Sequence, residues 1–163
     1  MRHKEKPLAE ITLRKYEKPY RLSGRELVKK LCLSIGLLQP ADSRDVVVDV
    51  FLSLLKSPEP VPLSHIEKTV RLSRKQHGLP MTGIASSNVR RQVKRLKDAF
   101  LIEKIGKQYR IAEDAPLHEV FSERIEKFYL PTIVSRVKEY CEAVERERWK
   151  DGSAVPEMQK PDE

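Results

Sequence analysis

Apolar residues along this chain recur mostly at intervals of three and four, the period of helices with one buried face. Leu27, Leu31 and Ile35 follow Ser23-Gly24-Arg25-Glu26. That tetrapeptide has a serine and a glutamate three residues apart, a capping box, and predicts a helix running to about Ser34 and stopping near Gly36. The next apolar set is Val46, Val47, Val50, Phe51, Leu54 and Leu55. Its valines favour a strand by propensity, but its length, its acidic start at Asp42 and Asp45 and its 3.6-residue period predict a helix over 42–56, ending before Pro58 and Pro60. A second capping box, Ser64-His65-Ile66-Glu67, opens a helix over 64–77 with Ile66 and Val70 inward and a stop at His77-Gly78. Residues 78–83 then read as a loop.

The stretch 86–111, SSNVRRQVKRLKDAFLIEKIGKQYRI, is the most informative. Val89, Val93, Leu96 and Phe100 fall on one face of a helix over 86–100, capped by Ser86 or Ser87, while Arg91, Lys94 and Arg95 turn away. Residues 101–105, Gly106-Lys107 and 108–111 then read as strand, tight turn and strand, with glycine where a positive φ is needed. Leu101 or Ile102, Tyr109 and Ile111 are expected to close the core beneath the helices.

Beyond the hairpin, Asp114 and Pro116 suit the start of a helix whose stripe is Leu117, Phe121, Ile125 and Phe128. Pro131 interrupts, and Ile133, Val134, Val137, Tyr140, Cys141 and Val144 continue the pattern towards Trp149. Two helices or one kinked helix fit this spacing. The expected organisation is a basic arm over 1–22, a domain over 23–112, a helical segment over 113–149 and a disordered tail over 150–163. The arm, which carries a strand-like alternation at Ile11–Arg14, reads either as a loosely docked or disordered leader or as an arm that touches DNA or a partner subunit.

Charge sharpens this picture. The chain has 163 residues and a net charge of +8, distributed as +6 over 1–30, −2 over 31–63, +9 over 64–112 and −5 over 113–163. Positive charge is thus concentrated in residues 1–30 and 64–112, and the C-terminal third is acidic. Cys32 and Cys141 are too few and too far apart for a zinc site or disulfide framework, and both read as small buried hydrophobes. No apolar run approaches the roughly 18 residues of a membrane span, and residues 1–7 lack the apolar core of a signal peptide, so a cytoplasmic location is expected. Nucleotide-binding, zinc-protease and serine-hydrolase motifs are missing, and His3, His65, His77 and His118 lie at termini or helix ends. The expectation is no enzyme, no cofactor and no metal.

A cationic helix followed by a lysine-tipped hairpin resembles the recognition helix and wing of winged helix-turn-helix DNA-binding proteins, over roughly residues 42–111. Small prokaryotic and archaeal regulators with a C-terminal dimerisation helix are the nearest likeness. The resemblance implies a mainly α fold with a two-stranded wing and a long C-terminal helix, acting as a dimer in sequence-specific binding of double-stranded DNA and in transcription regulation. Ser87, Asn88, Arg90, Arg91, Lys94 and Arg95 would then supply base and phosphate contacts, and Lys104, Lys107 and Arg110 on the wing would meet phosphate or the minor groove. Phe121, Ile125, Phe128, Ile133, Val137, Tyr140 and Val144 would form a homodimer contact. Two alternatives stay open: a winged-helix interaction subunit of a replication, transcription or RNA-processing assembly, and a protein that binds duplexes without regard to sequence.

Overall fold

The centre of the molecule is a helix that its own propensities oppose. In the computed structural model, which describes residues 5–150, the valine-rich run forms helix α2, Val46–Lys56, and nine of its eleven residues are buried. Burial on every side outweighs the preference of β-branched residues for strands. Three helices pack round it: α1, Gly24–Ser34; α3, Leu63–Gln76; and α4, Ser86–Asp98. Val28, Cys32, Phe51, Ile66, Val70, Val89, Val93 and Leu96 make one continuous core between them.

A three-stranded antiparallel sheet closes one side. Strands β2, Ile102–Ile105, and β3, Gln108–Ile111, form the predicted hairpin, with Gly106 at φ +60° in its turn. The short β1, Val61–Pro62, pairs Val61 with Tyr109 and puts β3 in the middle of the sheet. Leu101 and Ile102 are buried, and Tyr109 and Ile111 pack against the core at half exposure. The molecule is therefore mainly helical, with a small sheet and a long C-terminal helix, and its order of helix, strand, helix, helix, strand, strand is compatible with a winged-helix layout.

That C-terminal helix is continuous. It begins as α5, Leu117–Val120, passes through a π-helical segment, Phe121–Tyr129, and continues as α6, Leu130–Lys150. Pro131 neither splits nor ends it. Proline lacks the N–H that an α-helix requires, and the irregularity is taken up in the wider turns just before it, where the Leu130 N–H bonds to Ile125 five residues back. The hydroxyl of Thr132 also donates to the Tyr129 carbonyl at 2.6 Å.

The predicted caps are not used. Ser23 makes no side-chain cap bond; α3 starts at Leu63, one residue early, leaving Ser64 inside its first turn; and Ala85, not a serine, precedes α4. Asp114 lies in a 3-10 turn, Ala112–Asp114, at φ +52°, and Pro116 flanks the helix that follows. Cys32 is buried as expected, but Cys141 is exposed, because α6 runs off the body of the protein.

Over its described residues the N-terminal arm forms no strand and lies docked along the domain. Arg14 donates from its backbone to Ser34 at 2.8 Å and from its guanidinium to the carbonyls of Leu33 at 2.8 Å and Leu38 at 3.2 Å. A cation thus sits at the C-terminus of α1 and ties its last turn to the turn that follows it. Further along, Lys30 reaches Glu17 at 2.8 Å and lies 4.7 Å from the Tyr16 ring, while the Tyr129 hydroxyl accepts from the Glu10 N–H at 3.1 Å. The expected disordered tail lies, past Lys150, outside the described residues.

Candidate nucleic-acid interface

Helix α4 has three sides. Val89, Val93 and Leu96 are buried and fix its inward line. At about 100° per residue, Ser87, Arg90, Arg91, Lys94 and Lys97 fall on one arc of roughly 120° away from that line, and all five are exposed. Asn88, Gln92 and Arg95 occupy the opposite flank and are half-buried. The sequence-predicted group is therefore divided between two jobs.

The outer arc holds groups free to meet another molecule. Lys94 pairs with Asp98 at 2.7 Å, but this exposed i,i+4 pair is worth only about 0.3–0.5 kcal/mol, and a phosphate can displace it. The inner flank is committed within the protein. Asn88 donates to the Gly83 carbonyl and accepts from Gln92, while Arg95 donates to Gln92 at 2.7 Å and to the Leu37 carbonyl at 2.6 Å. These residues set the loop before α4 and anchor its far end.

Helix α3 extends the cationic surface. Its inward residues are Ile66, Val70 and Arg74, and on the outer side Lys68, Arg71 and Lys75 are exposed. The Ser86 hydroxyl bonds to Glu67, which joins the start of α4 to α3 on the flank that carries Arg90. Lys68, Arg71, Lys75 and Lys97 were not singled out from the sequence. The helical wheel carried the signal for Lys68, Arg71 and Lys75, which lie about 100° or more from the inward line of α3, but not for Lys97, which lies nearer the inward line of α4 than the half-buried Arg95 does.

The hairpin divides in the same way. Lys104 stands opposite Tyr109, and Glu103 opposite Arg110, so the two pairs lie on opposite faces of the sheet. Lys104 and Lys107 are exposed, and the Lys104 ammonium lies 5.8 Å from the Tyr109 ring. Arg110 instead pairs with Glu103 at 2.8 Å, and Glu103 also accepts from the Glu113 N–H at 2.9 Å and lies 3.8 Å from Arg124. Partial burial works against the Glu103 charge, yet the Arg110 and Glu113 hydrogen bonds outweigh it and hold the carboxyl below its ordinary range. Alternation along the strand puts Arg110 on the face of Glu103, whose carboxylate also meets Arg124 of the C-terminal helix, and not on the face that carries Lys104.

Beneath the interface lies a charged core that sequence reading missed. Arg25 of α1 and Arg74 of α3 are buried against Asp49 of α2 and Asp45, the residue that precedes that helix. Arg25 meets Asp49 at 2.9 Å and Asp45 at 2.9 Å; Arg74 meets Asp45 at 2.9 Å and Asp49 at 2.8 Å. Ser73 adds a bond to Asp49 at 3.3 Å, and the Arg74 Nε donates to the Pro80 carbonyl at 2.8 Å. Desolvation opposes ionisation of Asp45, but the bonds from Arg74 and Arg25 prevail and lower its pKa. The square of two cations and two anions locks the three helices together and holds the loop leading to α4.

Among the described residues no cluster of His, Cys, Asp or Glu could hold a metal ion, and no helix is long and apolar enough to cross a membrane. Compared with family models, curated proteins and solved structures, the chain matches none.

Proposed function

We propose that the chain is a winged-helix protein that binds double-stranded DNA through the outer arc of α4, with the β2–β3 hairpin as the wing. The observation that carries this reading is the separation of cations on α4: Arg90, Arg91, Lys94 and Lys97 are exposed on one arc, while the structural work of the helix falls to Asn88, Gln92 and Arg95. A helix about 20 Å long at 1.5 Å per residue fits a major groove about 12 Å wide. Arg90 and Arg91 have the planar two-donor fork that guanine N7 and O6 accept. Lys68, Arg71 and Lys75 flank the groove-facing helix with charge suited to phosphate, and Lys104 and Lys107 do so from the wing.

The reading extends to sequence-specific regulation of transcription. Its test is duplex binding by the wild type and by Arg90→Ala/Arg91→Ala/Lys94→Ala, against a pool of random duplexes and over a range of salt. The wild type should enrich particular sequences, and its affinity should fall with a slope near −0.9 in log K per log salt for each phosphate neutralised. The triple variant should bind far more weakly and show a shallower slope. Equal affinity for all duplexes would make this a sequence-blind binder; unchanged affinity in a folded triple variant would favour a protein-docking role.

A further inference from the structure

The rod from Leu117 to Lys150 faces two different things along its length. Near its start Val120 and Ile125 are buried, and Leu117 and Phe121 pack against the core of the same chain. Phe121 and Ile125, expected from sequence to lie in a contact between subunits, are therefore taken up by the monomer. From Phe128 onward the apolar side is largely uncovered among the described residues: Phe128 is 66% exposed, Val137 56%, Tyr140 68% and Val144 61%.

We infer that α6 pairs with α6 of a second copy of this chain, making the protein a two-fold dimer. Leu130, Ile133, Val137, Tyr140 and Val144 follow one another at steps of three, four, three and four, the spacing of a coiled-coil seam. Such a seam is self-complementary, because a helix of the same pattern supplies the knobs its holes require. The charged residues Lys138, Glu139, Glu142, Glu145 and Arg146 fall away from the seam. Val134, Cys141 and Ala143 border it together with Arg136, which pairs with Glu139 at 2.9 Å, and the next step of three falls on Glu147, so the apolar seam runs from Leu130 to Val144.

Area and continuity support the same partner. With an aromatic side chain presenting about 200 Å² and valine somewhat less, the exposed fractions of Val134, Val137, Tyr140 and Val144 leave on the order of 400 Å² of apolar side chain per copy, half-buried Leu130 and Ile133 add to it, and two copies together approach the ~1,000 Å² that a specific interface has to clear. The π-helical segment aligns the surface. Its wider turns advance roughly 80° per residue instead of about 100°, so between Ile125 and Ile133 the phase slips by about one residue. Ile133, Val137, Tyr140 and Val144 then line up with Ile125 instead of lying about a quarter turn away from it. The apolar ridge runs unbroken from the core of one copy into the seam. This inference names the partner for the proposed DNA-binding protein without depending on DNA binding.

Light scattering on the full chain tests it. The expected mass is twice the 18.9 kDa of one chain. Val137→Glu/Tyr140→Glu should give the single mass with an unchanged far-ultraviolet spectrum, and Lys138→Ala, off the seam, should stay double. A second readout covers the case in which the double variant unfolds. Cys141 is exposed on one chain and borders the seam, whereas Cys32 is buried. In wild type the reaction of Cys141 with a thiol reagent should slow several-fold as protein concentration rises. A single mass throughout the concentration range overturns the inference, whether the seam stays bare or takes a different molecule in the cell, and so does a Cys141 rate independent of concentration. A dimer that ignores DNA removes only the proposed function; a monomer that binds DNA removes only this inference.

Discussion

The guanidinium of Arg95, on α4, donates to the Leu37 carbonyl 58 positions earlier at 2.6 Å. The bond joins the helix proposed to enter DNA to the turn that follows α1, and it separates Arg95 from its neighbour Arg91, which is exposed. Arg95→Ala removes a charged donor from a carbonyl and should lower stability by about 1.5–3 kcal/mol in urea denaturation. Arg91→Ala should change stability by no more than about 0.5 kcal/mol while weakening duplex binding. Equal stability losses for both would contradict this division.

Asp49 accepts from both buried arginines and from Ser73. Removing its carboxylate leaves Arg25 and Arg74 short of a partner in the interior. Asp49→Ala is expected to cost about 3–5 kcal/mol, the range for breaking a buried ion pair from one side, and chemical denaturation measures it. A cost under about 1 kcal/mol would mean that water reaches the cluster.

Acid should weaken the same cluster. The folded-state pKa of Asp45 is lowered from its ordinary 3.8, as is that of Glu103 from 4.5, so the folded chain binds fewer protons than the unfolded one in this window. The stabilisation is complete above the unfolded values and is lost as pH falls through the folded ones. Unfolding free energy should therefore hold steady down to about pH 5 and decline below it. Asp45→Asn should flatten that decline, measured as the denaturation midpoint against pH.

Gly36 sits at φ +76°, and a Cβ there would come within 2.6 Å of the Thr12 side chain. Gly36→Ala meets both a left-handed backbone, costing about 1–2 kcal/mol, and a collision with the arm. Limited proteolysis should cut within residues 5–22 faster in the variant, with the helical core intact. An unchanged digestion pattern would show that the arm shifts without detaching.

Thr12, Arg14 and Tyr129 illustrate what could not be read from sequence. Each makes its contacts across a long separation, as Tyr129 does with Glu10 119 residues away, and no local period encodes such a partner. Helices and hairpin were legible because apolar spacing is local. Helix starts were less so: a capping motif states only what a serine can do, and Ser86 took Glu67 instead of its own backbone. On α4 the cations were visible, but telling Arg91 from Arg95 required knowing that the turn at Leu37 packs against one flank. The two-residue β1 is too short to show alternation. The buried arginines were hidden because Arg25 and Arg74 resemble surface charges until their aspartates are brought to them.

The π-helical turns between Phe121 and Tyr129 set an index as well as a shape. Adding or deleting one residue there would rotate everything downstream by about 100° and swing the bare ridge off its axis, although no residue of the ridge had changed. Chain length in this stretch is therefore quantised: the spacer tolerates substitution far better than a change in count.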